Sequence, residues 1–413
     1  MTDAMTPLHR NVRFQTFWAG SVSATLGQAV ADVAYPLAIV TMTGSPGRAA
    51  LFSAVQVAGM LVAGLPVGSL AERYDSRRLA LAACAIRATV TGAVVIALAG
   101  GWLTLPLLLT AAIVLGASEA LGNAANILLL RSIVPAGQLT LALTQDEVRI
   151  NGASLAGPAL AGVLYGLSHV VPFAFTAVAF CFALTATALI PAGLARRAPD
   201  RERADGGMLA GLRELWGQPL LRAALLLIMG VNTVGAGLDL VVIVILRHQA
   251  VPAYAIGLAL GTGAAGGLAG APLVKVAHRL RPGVLLVAVC GLEVVDLLLL
   301  AIPFGPWWAA AVLFTGMIGV PAIRVLFDIL ILRQAPPQRR GRLVATVMTL
   351  IVVGMPMGMA GCGLLLQYLP AQTAMLALAA AMALVTAYGL SRPEIRQARW
   401  PEASREMTAA SAS

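Results

Sequence analysis

Twelve apolar runs, each long enough to cross a bilayer, dominate this chain and decide what it can fold into. By hydropathy they cover about 14–41, 48–70, 79–100, 104–130, 139–167, 171–194, 219–246, 253–274, 283–303, 306–332, 343–368 and 371–390. A spanning helix needs roughly 20 apolar residues. Inside hydrocarbon only helices and closed barrels satisfy their backbone polar groups. Runs of this length are helices, so the expected class is an all-α integral membrane protein with twelve transmembrane helices. Only 11% of the 413 residues are charged and 59% are hydrophobic, against roughly 25% charged in soluble domains.

A formal net charge of +10 could suggest nucleic acid, but the arginines are distributed by topology instead. With both termini inside, the inner connections carry Arg10, Arg13, Arg73, Arg77, Arg78, Arg196, Arg197, Arg213, Arg281, Arg339, Arg340 and Arg342 among others. The outer connections carry little beyond Arg48 and Arg247. This is the positive-inside bias. It predicts cytoplasmic termini and a bilayer as the partner, with no nucleic acid. The run after Arg13 extends too far for a cleaved signal peptide and reads as a retained first helix. Cys84, Cys181, Cys290 and Cys362 lie in separate runs, and the four histidines sit at span ends. No metal spacing and no nucleophile–base pair emerge, so neither catalysis nor a metal or cofactor is expected.

The chain also repeats itself. Arg131 and Pro135 close the fourth run as Arg333 and Pro337 close the tenth, 202 positions on, and Gly68 stands 202 positions before Gly270. The long polar connection from Ala195 to Gln218 divides six runs from six. The expected organisation is a cytoplasmic lead at 1–13, a six-helix bundle at 14–194, a linker at 195–218, a second bundle at 219–390 and a disordered tail at 391–413. Parallel repeats of this kind occur in transporters, with the substrate site between them near the midplane.

Polar residues inside the runs are expensive and so mark candidate sites. In the first run Ser21, Thr25, Gln28, Asp32 and Tyr35 recur at spacings of 4, 3, 4 and 3, which places them on one helical face. In the fourth run Glu119, Asn123 and Asn126 also share a face. Asp32 and Glu119 are the candidates for proton coupling, since a carboxyl group held away from water can take up and release a proton. The seventh run offers Asn232 and Asp239, and the tenth Arg324 and Asp328, an i,i+4 pair able to neutralise itself. Arg87, Glu293 and Asp296 read as structural supports. Asp146, Glu147 and Arg149 lie near the inner end of the fifth run, within reach of a gate. Met355, Met357 and Met359 can supply an adaptable lining.

One charged stretch, Gly68 to Arg78 (GSLAERYDSRR), connects the second and third runs. With Glu72, Arg73, Asp75, Arg77 and Arg78 it resembles the cytoplasmic signature loop of the major facilitator superfamily. Glu72 stands in place of the usual aspartate and Ser76 in place of a frequent glycine. The fifth run, with Gly152, Gly157, Pro158 and Gly162, resembles the family's exporter-associated motif, and proline and glycine there can let the helix bend. Phe17-Trp18-Ala19-Gly20, Leu26-Gly27 and Arg340-Gly341-Arg342 point to the branch of enterobactin-exporter-type efflux proteins. The first-helix acid comes at Asp32 where that branch commonly has one at Gln28. The fourth helix has Ala112 near the place of the drug–proton antiporter arginine.

The resemblance implies the major facilitator fold of two six-helix bundles. It places the first, fourth, seventh and tenth helices around a central cavity, so that Gln28, Tyr35, Asn123, Asn126, Asn232, Asp239, Arg324 and Asp328 would line it. It implies a monomeric secondary transporter in a bacterial inner membrane. Such a protein would export a small amphipathic or lipophilic compound, such as a drug, antibiotic or siderophore-like product, by proton antiport. The alternatives are a metabolite importer of the same fold and a lipid flippase. It further implies that Glu72 pairs beneath the opposite half while Arg73 and Arg77 clasp nearby acids.

Overall fold

The computed structural model of the protein describes residues 8–191, 213, 215–273, 281–323 and 340–396. Every regular element among them is helical, and twelve stretches are long and apolar enough to span a membrane. The first six are Val12–Thr43, Pro46–Arg73, Ser76–Ala99, Leu105–Ile133, Leu139–Leu167 and Val171–Leu189. The seventh span consists of two segments, Pro219–Gly235 and Leu238–His248. The remaining five are Ala253–Gly270, Pro282–Leu300, the span beginning at Pro306, Arg340–Tyr368 and Ala371–Ser391.

Local chemistry explains where these rods begin and end. Asn11 caps the first helix by accepting from the Phe14 amide at 3.2 Å. Gly44 ends it in the left-handed conformation (φ 62°), which costs glycine nothing. Proline stands in the first two positions of the second, fourth, sixth, seventh, ninth and tenth helices, where its missing amide is no loss. Large apolar side chains such as Val62, Ile96, Val178, Leu189 and Leu384 remain exposed. A hydrocarbon surround accepts such a surface; water would not.

Without a hydrophobic drive between helices in lipid, close backbone approach holds the bundle together. Gly116 of the fourth helix lies against the backbone of Gln56 on the second, and Gly266 of the eighth lies against that of Phe314 on the tenth. The two pairs reflect a general pattern. Contacts of helices 1–5, 1–6, 2–4, 3–4 and 3–6 are matched by 7–11, 7–12, 8–10, 9–10 and 9–12. Between the sequential sets, the second helix packs on the eleventh and the fifth on the eighth.

Those cross-set contacts gather toward one end of the molecule, the end of the short turns at Gly44, Gly101 and Ser168. There Gly47 meets Gly363 and Gln367, Gly162 meets Ala253 and Tyr254, and the Arg247 guanidinium donates to the Thr41 hydroxyl. The opposite, arginine-rich end carries the junction between the second and third helices.

At that junction the expected loop is mostly helix. Gly68 to Arg73 continue the second helix, leaving Tyr74 and Asp75 as the connection. Glu and Arg are good helix formers, so charge alone did not mark a break. Asp75 caps the third helix by accepting from the Arg77 amide at 2.7 Å. Arg77 donates from Nη2 to the carbonyl oxygen of Ala188 on the sixth helix at 2.8 Å. It thus holds a helix end, in place of the expected acid. Arg78 is exposed.

Candidate functional site: two stacked cavities meeting at Glu119

Two cavities lie one above the other along the helix axes. The first, about 420 Å³, is enclosed by both sets of six helices toward the short-turn end. Asp32 and Pro36 of the first helix, Gln56 and Met60 of the second and Glu119 of the fourth line one side. Ser154 and Pro158 of the fifth, Ala236 to Leu240 of the seventh in part, and Met355 and Met359 of the eleventh complete the wall. The second, about 380 Å³, lies toward the arginine-rich end, and its described lining comes from the first six helices. Its walls include Ser21, Thr25 and Gln28, Cys84 and Arg87, Asn123 and Asn126, Asp146 and Arg149, and Thr187.

Glu119 is the one described residue that lines both. It is the midpoint of its 29-residue helix, Leu105–Ile133, about 21 Å from either end at 1.5 Å per residue. Along the first helix the polar face passes from one cavity to the other within a single turn. The Gln28 amide, in the lower chamber, donates to Asp32 Oδ1, in the upper cavity, at 2.8 Å. Asp32 is accessible because it faces that cavity.

The chamber is internally braced. Arg149, 8% exposed, pairs with Asp146 at 2.7 Å. It also donates to the Ser21 carbonyl oxygen at 3.2 Å and to the Thr25 hydroxyl. The Ser21 hydroxyl donates to Asn126 Oδ1 at 3.3 Å. Arg87, also 8% exposed, donates to the Ser118 carbonyl oxygen at 3.4 Å and lies 5.5 Å from the centre of the Phe180 ring.

The break in the seventh span belongs to the upper cavity. Gly237 at the break lies so close to Cys362 of the eleventh helix that a methyl group there would overlap the sulfur. The segment that restarts at Leu238 brings Asp239 into the cavity within its first turn, where a carboxylate complements the positive end of the helix dipole.

Several expectations are corrected. Gln28, Asn123 and Asn126 line the lower chamber and not the central cavity. Tyr35 is 2% exposed, stacked on Phe52 at 4.6 Å and edge-on to Phe173 at 4.8 Å, so it packs the core. The Asn232 amide donates to the Ile228 carbonyl oxygen of its own helix at 3.0 Å and is absent from the cavity wall. Met357 points away at 70% exposure while Met355 and Met359 line the cavity. Arg149, paired with Asp146, donates to the first helix, and Glu147 is exposed. Arg87, read as a support, lines the chamber.

In the fifth helix Gly157 and Gly162 allow close approach to Ala29 and Ala253, whereas Gly152 faces open space. The helix runs unbroken through Pro158. Arg324 and Asp328 lie outside the described residues, as do the side chains of Glu72 and Arg73. Gln56 and Ser154 are lining residues that sequence reasoning missed. Each has a polar residue three positions earlier, Ser53 and Asn151, a helical spacing that could have marked the face.

An all-helical body with twelve spanning stretches and a polar cavity between two similarly packed sets is that of a multi-pass membrane transporter. The chain matches the family model described as Major Facilitator Superfamily over residues 17–359. It belongs to that family. Among curated proteins it is 24% identical over 395 residues to the multidrug efflux pump Tap of Mycobacterium tuberculosis and Mycobacterium bovis, covering 91% of this chain and 92% of theirs.

Solved structures share the fold. One is a bacterial homolog of the human lysosomal transporter Spinster, in an inward-facing, unoccupied conformation, with TM-score 0.73, 15% identity and coverage of 95% and 100%. Another is the nucleoside transporter NupG, with TM-score 0.75, 10% identity and coverage of 94% and 100%. A third is a bacterial homologue of the iron transporter ferroportin, inward-facing, with TM-score 0.73, 16% identity and coverage of 94% and 99%.

Proposed function

We propose that the protein exports a small amphipathic or lipophilic compound in exchange for protons, by alternating access of the upper cavity. The observation that carries this reading is the placement of Asp32 and Glu119 on one wall of a cavity that both sets of six helices enclose. A site shared between two bodies changes the side it faces when they rock, and acids within it couple that motion to proton uptake. Prolines and three methionines on the wall suit a partly apolar solute. The relative named a multidrug efflux pump supports export, at 24% identity.

The two bodies are 14–194 and 219–390, the termini and the arginine-rich end face the cytoplasm, and the membrane is the bacterial inner one. Contacts gathered at the short-turn end support a resting state closed on the outside.

The test is expression in a pump-deficient host, with compound tolerance and cell accumulation measured with and without an uncoupler. Efflux is expected to vanish with the uncoupler and in Asp32→Asn, while the variant still reaches the membrane at normal yield. Uncoupler-sensitive efflux by Asp32→Asn at the unmodified rate, or concentrative uptake of the compound, would refute the reading.

A further inference from the structure

The depth order of the two cavities separates two tasks. On the first and fifth helices the chamber residues precede the cavity residues, 20–28 and then 29–36 on the first, 146–150 and then 154–158 on the fifth, and on the fourth the two meet at Glu119. Among the described residues, the chamber lining comes from one set of helices alone. A space within one set keeps its side when the two sets move against each other, so it is unsuited to carrying a solute across. At about 380 Å³ it has room for several waters, each occupying about 30 Å³ in the liquid.

Charge completes the argument. Among the described residues, the chamber holds two basic groups, Arg87 and Arg149, beside two acids, Asp146 and Glu119. The upper cavity holds Asp32, Asp239 and Glu119 with no described basic side chain. The groups around Glu119 are thus Gln28 and Asp32 from the first helix, Gln56 from the second and Arg87 from the third, with the Asp146–Arg149 pair from the fifth and Asp239 across the cavity.

We propose that the chamber inside the first six helices is a dedicated, water-filled proton conduit ending on Glu119, separate from the cavity that takes solute. This rests on the proton-exchange reading and assigns it a route. Protons pass between Glu119 and the arginine-rich end through the chamber when the solute cavity is closed to the outside, so that capture and release occur in different states.

The experiment uses the full-length protein in lipid nanodiscs with no solute added. Infrared difference spectroscopy after a pH jump follows the protonated-carboxyl band assigned to Glu119 by its loss in Glu119→Gln. Ala24→Phe fills the chamber and Ser154→Phe fills the cavity. Protonation of Glu119 is expected to slow by at least about tenfold in Ala24→Phe, and to stay within about twofold of the unmodified rate in Ser154→Phe. Slowing by Ser154→Phe, or no slowing by Ala24→Phe, overturns the proposal.

Should Ala24→Phe fail to fold, the chamber's own Cys84 supplies a plug after folding. With the other three cysteines replaced, modification of Cys84 by a water-soluble methanethiosulfonate should produce the same slowing. Failure of the reagent to reach Cys84, or its attachment without effect, counts against the conduit. Proton-driven efflux with Glu119 protonating through the solute cavity would leave the exchange reading standing and remove this one.

Discussion

Gly257 offers a graded way to push the proposed conformational equilibrium. It lies where the fifth and eighth helices cross near the short-turn end. A methyl group there would overlap the carbonyl oxygen of Pro158 and stand 3.0 Å from the Gly162 Cα, both backbone atoms. Restoring ordinary contact distances requires the helices to part by on the order of 1 Å. Overpacking of this kind costs about 1–3 kcal/mol in the state that contains it. A state in which this end is open does not contain it, so Gly257→Ala should change the ratio of the two states by about 5- to 150-fold.

Spin labels on Arg48→Cys and His248→Cys, in a background without the native cysteines, read the gap across the two sets at that end. Gly257→Ala should move the distance distribution to longer values. The control is Gly152→Ala on the fifth helix, where nothing lies within 4 Å and alanine improves helix propensity by up to about 1 kcal/mol. If the two variants give the same distance distribution and the same melting temperature, the packing argument is wrong.

Two further outcomes test the bracing at the arginine-rich end. Asp75→Ala removes the cap that accepts from the Arg77 amide and should lower stability by about 1 kcal/mol, seen as a lower melting temperature in detergent with transport retained. Arg149→Met strips Asp146 of its partner. Because that carboxylate is 24% exposed to the chamber, the loss should be about 1–3 kcal/mol, below the 3–5 kcal/mol of a sealed pair. Adding Asp146→Asn should recover part of it; a double variant less stable than Arg149→Met alone would contradict the pairing.

Span number was legible because hydrocarbon imposes a length and an apolarity that a sequence cannot hide. The polar face of the first helix was legible too, since 3.6-residue periodicity gives the direction of each side chain around the axis. It does not say what stands opposite. Tyr35 shares that face with Asp32, yet Phe52 and Phe173 from two other helices close over it. Gln28 and Asp32 are one turn apart and belong to different cavities. Arg87 was read as a support and not as a chamber residue for the same reason: its surroundings, the Ser118 carbonyl and the Phe180 ring, come from the fourth and sixth helices. No pattern within the third helix announces them.

The internal repeat sharpens what belongs to the fold and what belongs to the site. At the 202-residue offset, Ser21, Thr25, Gln28, Asp32, Arg87, Glu119 and Arg149 correspond to Ala223, Leu227, Gly230, Val234, Val289, Pro321 and Ile351. These seven have apolar or glycine counterparts, whereas Asn126 corresponds to Asp328; the helix pairings recur across the two sets. Packing was therefore kept more completely than the polar residues. Such an asymmetry fits the proposed division of task, in which the first set holds most of the ionisable groups and the second supplies an opposing wall. A duplicated chamber would place a second buried charge system in hydrocarbon, where every unbalanced charge is unfavourable by about 2.5–3.5 kcal/mol on insertion scales. Among the described residues, the acid on the opposing wall is Asp239, which stands in the upper cavity at a helix start, where the dipole offsets part of that penalty.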